Sequence, residues 1–201
     1  MNTKYEFTGE TKIVYGRTLR RIKAIVAIGA TVAPGDIGGW IESENNLSVS
    51  GNAWVFGDAM VFGKAEVYGN ASVYCNACVY GNAMVSGNAI VFGKAEVYGN
   101  ASVFGNAWVS GNASVSGNAS VSGNARVFGD EDYMTFKNSW SSGRWFTYTA
   151  SNKKWKVGCF YGTGDELVSK AYADSELSGK CYEAIVRAVE AIEAAEESEL
   201  K

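Results

Sequence analysis

The chain has 201 residues, of which 47% are hydrophobic and 19% charged, and its formal net charge is −3. This composition excludes wholesale disorder and gives no global attraction to nucleic acid or to an anionic membrane. The sequence contains no histidine, which removes the side chain most often used as a general base near neutral pH and as a metal ligand, so we expect no enzyme.

Residues 1–48 are predicted to form an N-terminal β cap. Strand-like alternation at Tyr5 and Phe7 and a turn signal at Pro34-Gly35 support this prediction. The N-terminus lacks the apolar stretch of a secretory signal, and no apolar run is long enough to span a bilayer. We therefore expect a cytoplasmic protein with no membrane partner.

Residues 49–130 repeat every six residues. An alanine stands two residues before each valine from Ala53 to Ala125, and a glycine stands two residues after it except at Cys75. The fourteen valines are Val49, Val55, Val61, Val67, Val73, Val79, Val85, Val91, Val97, Val103, Val109, Val115, Val121 and Val127. With asparagine the usual next residue, the repeating unit is Ala-x-Val-x-Gly-Asn.

This unit predicts a β-solenoid. Because alternate side chains of a strand face opposite sides, alanine and valine point inward together and their neighbours point outward. Gly-Asn supplies the corner, since these residues most readily adopt left-handed backbone angles. Short strands joined by identical corners then stack valine upon valine.

The repeat resembles the hexapeptide-repeat family, in which a small residue precedes an aliphatic one by two positions. The resemblance implies a left-handed parallel β-helix with a triangular cross-section and three hexads per turn. Fourteen hexads would make four to five turns, or about 22 Å at roughly 4.8 Å per stacked strand. The family's acyltransferases and carbonic anhydrases rely on histidine, and Glu66 or Glu96 would be poor substitutes because both are predicted to face solvent.

Residues 131–201 are predicted to form a small C-terminal α+β domain, with strands followed by two helices at about 164–174 and 179–197. Apolar residues recur at helical spacing in the second helix, and Thr163 with Glu166 fits a helix capping box. The predicted fold class is mainly β: a left-handed parallel β-helix with an N-terminal β cap and this α+β domain.

Three stretches resemble uncharacterised hexapeptide-repeat proteins of phages and prophages. They are Gly-Asp-Ile-Gly-Gly-Trp-Ile-Glu at 35–42, Phe-Lys-Asn-Ser-Trp at 136–140 and Gly-Cys-Phe-Tyr-Gly-Thr-Gly at 158–164. The resemblance covers essentially the whole chain. It implies an accessory phage gene and brings no established biochemistry.

Aromatic residues follow many of the valines and are predicted to point outward. In an eighteen-residue turn they form two exterior columns, which would expose a large apolar patch. We therefore predict an oligomer or partner interface, in a dimer or trimer, at Phe56, Phe62, Tyr74, Tyr80, Phe92 and Tyr98. Cover by the chain's own terminal segments and a ligand surface are the alternatives.

Residues 131–161 carry five basic and two acidic side chains, interleaved with aromatic ones. Such a mixture can stack on bases and contact phosphates. The candidate partner or nucleic-acid patch consists of Lys137, Arg144, Trp145, Lys153, Lys154, Trp155 and Lys156. The alternative is a hairpin whose aromatic residues form its core.

Cys75 and Cys78 have the spacing of a zinc half-site, and only Cys159 and Cys181 remain to complete it. Because Cys78 is predicted to face outward and Cys75 to lie at a corner, we expect free thiols, no metal and no cofactor.

These features predict a non-enzymatic binding protein of phage or prophage type, oligomeric through its solenoid, whose C-terminal domain engages a macromolecular partner. The expected partner is a host defence protein, such as a CRISPR effector or other antiviral factor, or its complex with nucleic acid, inhibited by binding alone. The alternatives are a degenerate acyltransferase-like protein that binds a nucleotide-sugar or acyl-CoA, and a structural virion component.

Overall fold

The computed structural model describes residues 2–140 and 142–199. Met1, Ser141, Leu200 and Lys201 lie outside the described residues, and the last three of these belong to the predicted C-terminal domain. Along the chain there follow an antiparallel hairpin, a stack of parallel coils, a four-stranded antiparallel sheet and two helices.

An antiparallel hairpin begins the fold. β1 (Tyr5–Val14) and β2 (Arg17–Ala24) are joined by a tight turn at Tyr15 and Gly16, whose φ angles are 48° and 73°. β2 pairs antiparallel with β3 (Ile37–Ile41), and β3 pairs in parallel with a strand of the next coil. The hairpin therefore extends one sheet of the solenoid.

Thirteen two-residue strands of the described chain follow β3, each made of a valine and the residue before it. They are β4 (Trp54–Val55), β5 (Met60–Val61), β6 (Glu66–Val67), β7 (Ser72–Val73), β8 (Cys78–Val79), β9 (Met84–Val85), β10 (Ile90–Val91), β11 (Glu96–Val97), β12 (Ser102–Val103), β13 (Trp108–Val109), β14 (Ser114–Val115), β15 (Ser120–Val121) and β16 (Arg126–Val127). From β4 onward the pairing is parallel with an offset of 18 residues, as between Ile90 and Trp108. One turn therefore contains three hexads, while the left hand of the coil stays a prediction.

The strands stack into three sheets, which we call faces 1, 2 and 3. Face 1 contains β3, β5, β8, β11 and β14, face 2 contains β6, β9, β12 and β15, and face 3 contains β4, β7, β10, β13 and β16. The inward alanines and valines from Ala53 to Val127 are at most 1% exposed. Burying each valine contributes about 1.5–3 kcal/mol. The prediction of a mainly β fold with a parallel β-solenoid is confirmed.

The first coil departs from the six-residue register. Val49 is 50% exposed, whereas Leu47 is fully buried and forms a parallel bridge with Val67. Leu47 precedes Val55 by eight residues instead of six, and the two additional residues place Val49 outside. The expectation that Val49 starts the buried valine column is therefore wrong. The first coil begins with β3, inside the segment that the sequence assigns to the cap.

The corners between faces 2 and 3 are held by two kinds of contact. Side-chain amides form a ladder, in which Asn70 Nδ2 donates to Asn88 Oδ1 at 3.0 Å. The ladder consists of Asn52, Asn70, Asn88, Asn106 and Asn124. Gly87 has a φ of 67°, and a Cβ there would lie 2.9 Å from the backbone nitrogen of Gly105. Glycine is therefore required by both backbone angle and space.

The C-terminal domain packs two helices on one side of an antiparallel sheet. Its elements are β17 (Tyr133–Lys137), β18 (Trp145–Thr149), β19 (Lys154–Val157), β20 (Phe160–Gly162), α1 (Gly164–Asp174) and α2 (Glu176–Glu199). The core between sheet and helices includes Phe146, Trp155 and Val186, each at most 2% exposed. Thr163 and Glu166 form the predicted capping box at the start of α1. Among the helices described, neither is long and apolar enough to cross a membrane.

Candidate functional site

The three faces share one interior but differ in their outward side chains. Face 2 carries four serines among its eight outward positions, whereas face 3 carries seven large apolar residues among ten. The outward residues of face 3 are Trp54, Phe56, Ser72, Tyr74, Ile90, Phe92, Trp108, Ser110, Arg126 and Phe128. Because the interior is the same everywhere, any recognition by the solenoid depends on these outward positions.

A column of aromatic rings runs along face 3. The rings of Tyr74 and Phe92 are stacked, with centroids 5.1 Å apart and planes 8° from parallel. Phe56 meets Tyr74 edge to face at 6.4 Å, and Phe92 meets Trp108 at 6.1 Å. The guanidinium of Arg126 lies 5.1 Å from the Trp108 ring. The predicted column Phe56-Tyr74-Phe92 thus exists and continues to the last coil.

A second column lies on face 1 and is partly covered by the chain itself. Phe62, Tyr80 and Tyr98 stack at centroid distances of 5.1 and 5.0 Å. Phe62 is only 3% exposed, because Val14 and Leu19 of the hairpin pack over it. The N-terminal hairpin of the chain itself therefore covers Phe62, and this residue is not available to another molecule.

The polar groups of face 1 bond to one another. The Tyr80 hydroxyl donates to Glu96 Oε2 at 2.9 Å, and burial, followed by this hydrogen bond, raises the pKa of Tyr80. Glu66, the other carboxylate considered as a base, is exposed on face 2. The two glutamates therefore do not share a site.

The four cysteines are unpaired. Cys75 is exposed at a corner with a φ of 63°, and Cys78 is half-buried on face 1, where burial raises the pKa of its thiol. Cys159 and Cys181 lie in the C-terminal domain. Within the described part of the chain, no three His, Cys, Asp or Glu side chains come together as a metal site would require.

The predicted basic-aromatic patch is divided between the two sides of the C-terminal sheet. Trp155 is 2% exposed and belongs to the core beneath the helices. Its neighbour Lys156 points to the other side, with its ammonium 5.6 Å from the Phe104 ring of the solenoid.

The remaining basic residues of the patch are dispersed. Lys137 lies 5.9 Å from the Trp145 ring, and Lys153 lies 3.9 Å from a carboxylate oxygen of Glu193. Arg144 is exposed beside Gly158, and Lys154 is half-buried. The seven residues do not form one continuous surface, because side chains alternate across the strands that carry them.

The C-terminal domain closes the last coil on all three faces. Ser114 of face 1 donates its backbone N–H to Asp130 Oδ1 at 2.7 Å, and Ser120 of face 2 donates to Thr147 Oγ1 at 2.8 Å. On face 3 the backbone N–H of Arg126 donates to Ser151 Oγ at 2.7 Å. Side-chain oxygens thus replace the carbonyls of a further coil, which satisfies an otherwise open strand edge.

The first coil is closed by side-chain donors from the N-terminus. Tyr5 donates its hydroxyl hydrogen to the carbonyl of Leu47 at 3.0 Å, and Lys4 Nζ donates to the carbonyl of Ser48 at 2.9 Å. Lys4 is 3% exposed, and burial lowers its pKa from 10.5 to about 8. Sequence reasoning missed these end contacts, since nothing in the repeat indicates which residues lie above and below it.

The two helices form the outermost layer at the C-terminal end and are strongly acidic. Residues 164–174 and 176–199 contain ten acidic and three basic residues, a net charge of −7. Glu193 points inward, and its Oε1 accepts a hydrogen bond of 2.5 Å from the Tyr148 hydroxyl. The exposed acidic residues include Asp165, Asp174, Glu176, Glu190, Glu196 and Glu197. An acidic surface therefore faces away from the solenoid.

Part of the chain matches a known family of repeats. Residues 77–93 match the model of the YdcK β-solenoid repeat. These residues contain β8, β9 and β10, the three strands of the third coil. No curated protein matches the chain. The match and the coil geometry agree on a β-solenoid built from hexapeptide-type repeats.

Proposed function

We propose that this protein is a non-enzymatic binding protein, in which the solenoid is a rigid oligomeric scaffold and the C-terminal helical layer engages a macromolecular partner. The acidic outer surface of α1 and α2 is the observation that carries this proposal. A partner with a basic binding surface fits this charge best, because opposite potentials steer association and exclude competing surfaces.

The architecture supports a presenting role for the C-terminal domain. The last coil bonds to Asp130 just before the sheet, to Thr147 of β18 and to Ser151 in the turn after β18, which leaves the helices as the exposed layer. The lack of histidine in the sequence supports binding rather than the chemistry typical of hexapeptide-repeat enzymes.

The identity of the partner is proposed from the sequence. The resemblance to phage and prophage proteins favours a host antiviral factor, such as a CRISPR effector, that is inhibited by occupation of its surface. Proteins that bind nucleic acid present basic grooves, and the acidic helices would compete for such a groove. This explanation requires no catalytic group in the chain.

Capture from a host lysate tests the proposal, with charge reversals chosen to leave the helices intact. Asp174→Lys/Glu196→Lys replaces two exposed carboxylates near helix C-termini, where a positive charge favours the helix dipole. Glu10→Lys/Glu66→Lys makes the same charge change on exposed positions of the hairpin and solenoid. We expect the first double variant to lose the captured partner and the second to retain it. Equal capture by both variants would refute the acidic-layer proposal.

The alternative functions give different results. A degenerate acyltransferase-like protein predicts a thermal shift with a nucleotide-sugar or an acyl-CoA, unchanged by the helix charge reversals. A structural virion component predicts the protein in purified particles. Either result without partner capture would replace the proposed function.

A further inference from the structure

Face 3 is the most apolar of the solenoid faces and is open from its second coil to its fifth. In the first coil the N-terminal segment covers Trp54, which is 1% exposed and packs against Tyr5. Trp108 is 37% exposed and Phe128 is 53% exposed, and Phe56, Tyr74 and Phe92 are half-buried. On face 1, by contrast, the hairpin reduces the exposure of Phe62 to 3%. Arg126 is the one charged residue among the outward positions of face 3 that the structure describes.

We infer that two copies of this chain associate through face 3, face to face and related by a twofold axis, with their solenoid axes antiparallel. The inference rests on the proposed oligomeric scaffold and names the contact that forms it. A second copy presents the same apolar surface to face 3. Because face 3 has a single arginine among its outward residues, it does not require a partner of opposite charge.

The pattern of side-chain sizes on face 3 is self-complementary in this arrangement. The axis crosses the third coil, so Ile90 meets Ile90 of the second copy and Phe92 meets Phe92. The second coil then faces the fourth, which places the small side chain of Ser72 opposite the projecting Trp108. In this pair of coils large side chains thus meet small ones, as close packing requires.

Charge decides the direction of the two solenoids. Parallel solenoids would place two acidic helical layers side by side, each with a net charge of −7 over 164–174 and 176–199. Antiparallel solenoids separate the layers by the length of the coil stack, about 24 Å for five coils at roughly 4.8 Å each. This distance exceeds the Debye length of about 8 Å at physiological ionic strength, so the repulsion is screened.

The size of the face sets the expected strength. Six residues at about 3.3 Å each give a width under about 20 Å, and the four open coils give about 19 Å, so each copy contributes at most roughly 380 Å². Standard stable interfaces bury about 800 Å² per partner. The contact is therefore expected to form a dimer that dissociates in the micromolar range rather than a permanent assembly.

Sedimentation equilibrium of the full chain across about 1–100 μM, bracketing micromolar dissociation, tests the contact. Ile90→Asp places two carboxylates against each other at the axis, and Met84→Asp is the matched control. Met84 lies in the same coil at the equivalent outward position of face 2 and is 40% exposed. We expect Ile90→Asp to weaken self-association at least about tenfold, or about 1.4 kcal/mol, and Met84→Asp to leave it unchanged. Circular dichroism checks that both variants keep the wild-type fold.

Disulfide formation tests the antiparallel direction. Ile90→Cys places the new thiols together at the axis, whereas Ser72→Cys places them two coils apart, and the unsubstituted chain gives the background from native thiols. Antiparallel solenoids predict a high yield of linked dimer for Ile90→Cys and a background yield for Ser72→Cys. Equal yields would overturn the antiparallel arrangement.

The outcomes separate this inference from the proposed function. A monomeric wild-type chain at the highest concentration, or equal self-association by Ile90→Asp and Met84→Asp, overturns the face 3 contact. In the second case the oligomeric scaffold stands and another surface forms it. Partner capture by the C-terminal layer is measured separately, so its failure does not depend on the mass of the free protein.

Discussion

The solenoid and the C-terminal domain are stabilised in different ways. Each coil contacts its neighbours through the same backbone ladder and the same small side chains, so its stabilisation is shared among many similar contacts. The C-terminal domain depends on one core of large residues, among them Phe146, Tyr148 and Trp155. A single core substitution should therefore lower the free energy of unfolding more in the C-terminal domain than in a coil.

The largest expected effect is therefore in the C-terminal core. Phe146→Ala should lower the free energy of unfolding by about 3–5 kcal/mol, the usual cost of removing a buried aromatic ring. Val85→Ala, at an equally buried position of the third coil, should cost about 2 kcal/mol, because it removes fewer atoms. Chemical denaturation of both variants measures the difference. Equal losses would contradict the contrast between the two regions.

Corner glycines test how tightly the coils are stacked. Gly87→Ala should cost about 3 kcal/mol, since it combines a left-handed backbone angle with a Cβ 2.9 Å from the next coil. Gly117 has a similar φ of 65° but no atom within 4 Å of an added Cβ. Gly117→Ala should therefore cost only about 1–2 kcal/mol, the cost of the backbone angle. The thermal midpoints of the two variants should differ, and coincident midpoints would show that coil contact does not constrain the corner.

The first turn of α1 tests local stabilisation in the C-terminal domain. Thr163→Ala removes the oxygen that accepts the Glu166 N–H and should cost about 1 kcal/mol. Thr163→Ser keeps the hydroxyl and should retain most of the stability. Denaturant midpoints measure both changes, and an equal loss in the serine variant would assign the effect to the lost methyl group instead.

A further expected effect depends on pH and lies at the N-terminal end of the solenoid. The pKa of Lys4 is about 8 in the folded protein and 10.5 as its ordinary value. Between about pH 8 and 10.5 the Lys4 side chain is therefore protonated in the unfolded chain but not in the folded one. Because the unfolded state binds more protons, the contribution of Lys4 to the free energy of unfolding rises with pH across this interval.

Lys4→Met isolates this contribution. The free energy of unfolding of the wild type, measured relative to Lys4→Met, should increase across that interval and stay constant below pH 8. The tyrosines present in both proteins cancel in the difference. A difference that is flat or falls with pH would show that Lys4 is not buried as described.

Prediction from sequence succeeded where one local rule repeats. The spacing of alanine, valine and Gly-Asn indicated the solenoid, the capping box at Thr163 indicated the start of α1, and helical spacing of apolar residues indicated α2. It failed at Val49, because the six-residue period continues in the sequence after the chain has shifted to Leu47. Contacts between distant segments were harder to predict: cover of an aromatic column by a terminal segment was only an alternative to an interface, and the hydrogen bond from the Ser120 backbone N–H to Thr147 escaped prediction.

The mass in solution of the complex with the captured partner shows whether the solenoid joins copies and the helices bind the partner. The account predicts two chains of this protein in the wild-type complex, one chain in the Ile90→Asp complex, and no complex for Asp174→Lys/Glu196→Lys. The solenoid would then join copies while the acidic helices bind the partner. A complex that persists in the helix variant and is lost in Ile90→Asp would contradict this division of roles.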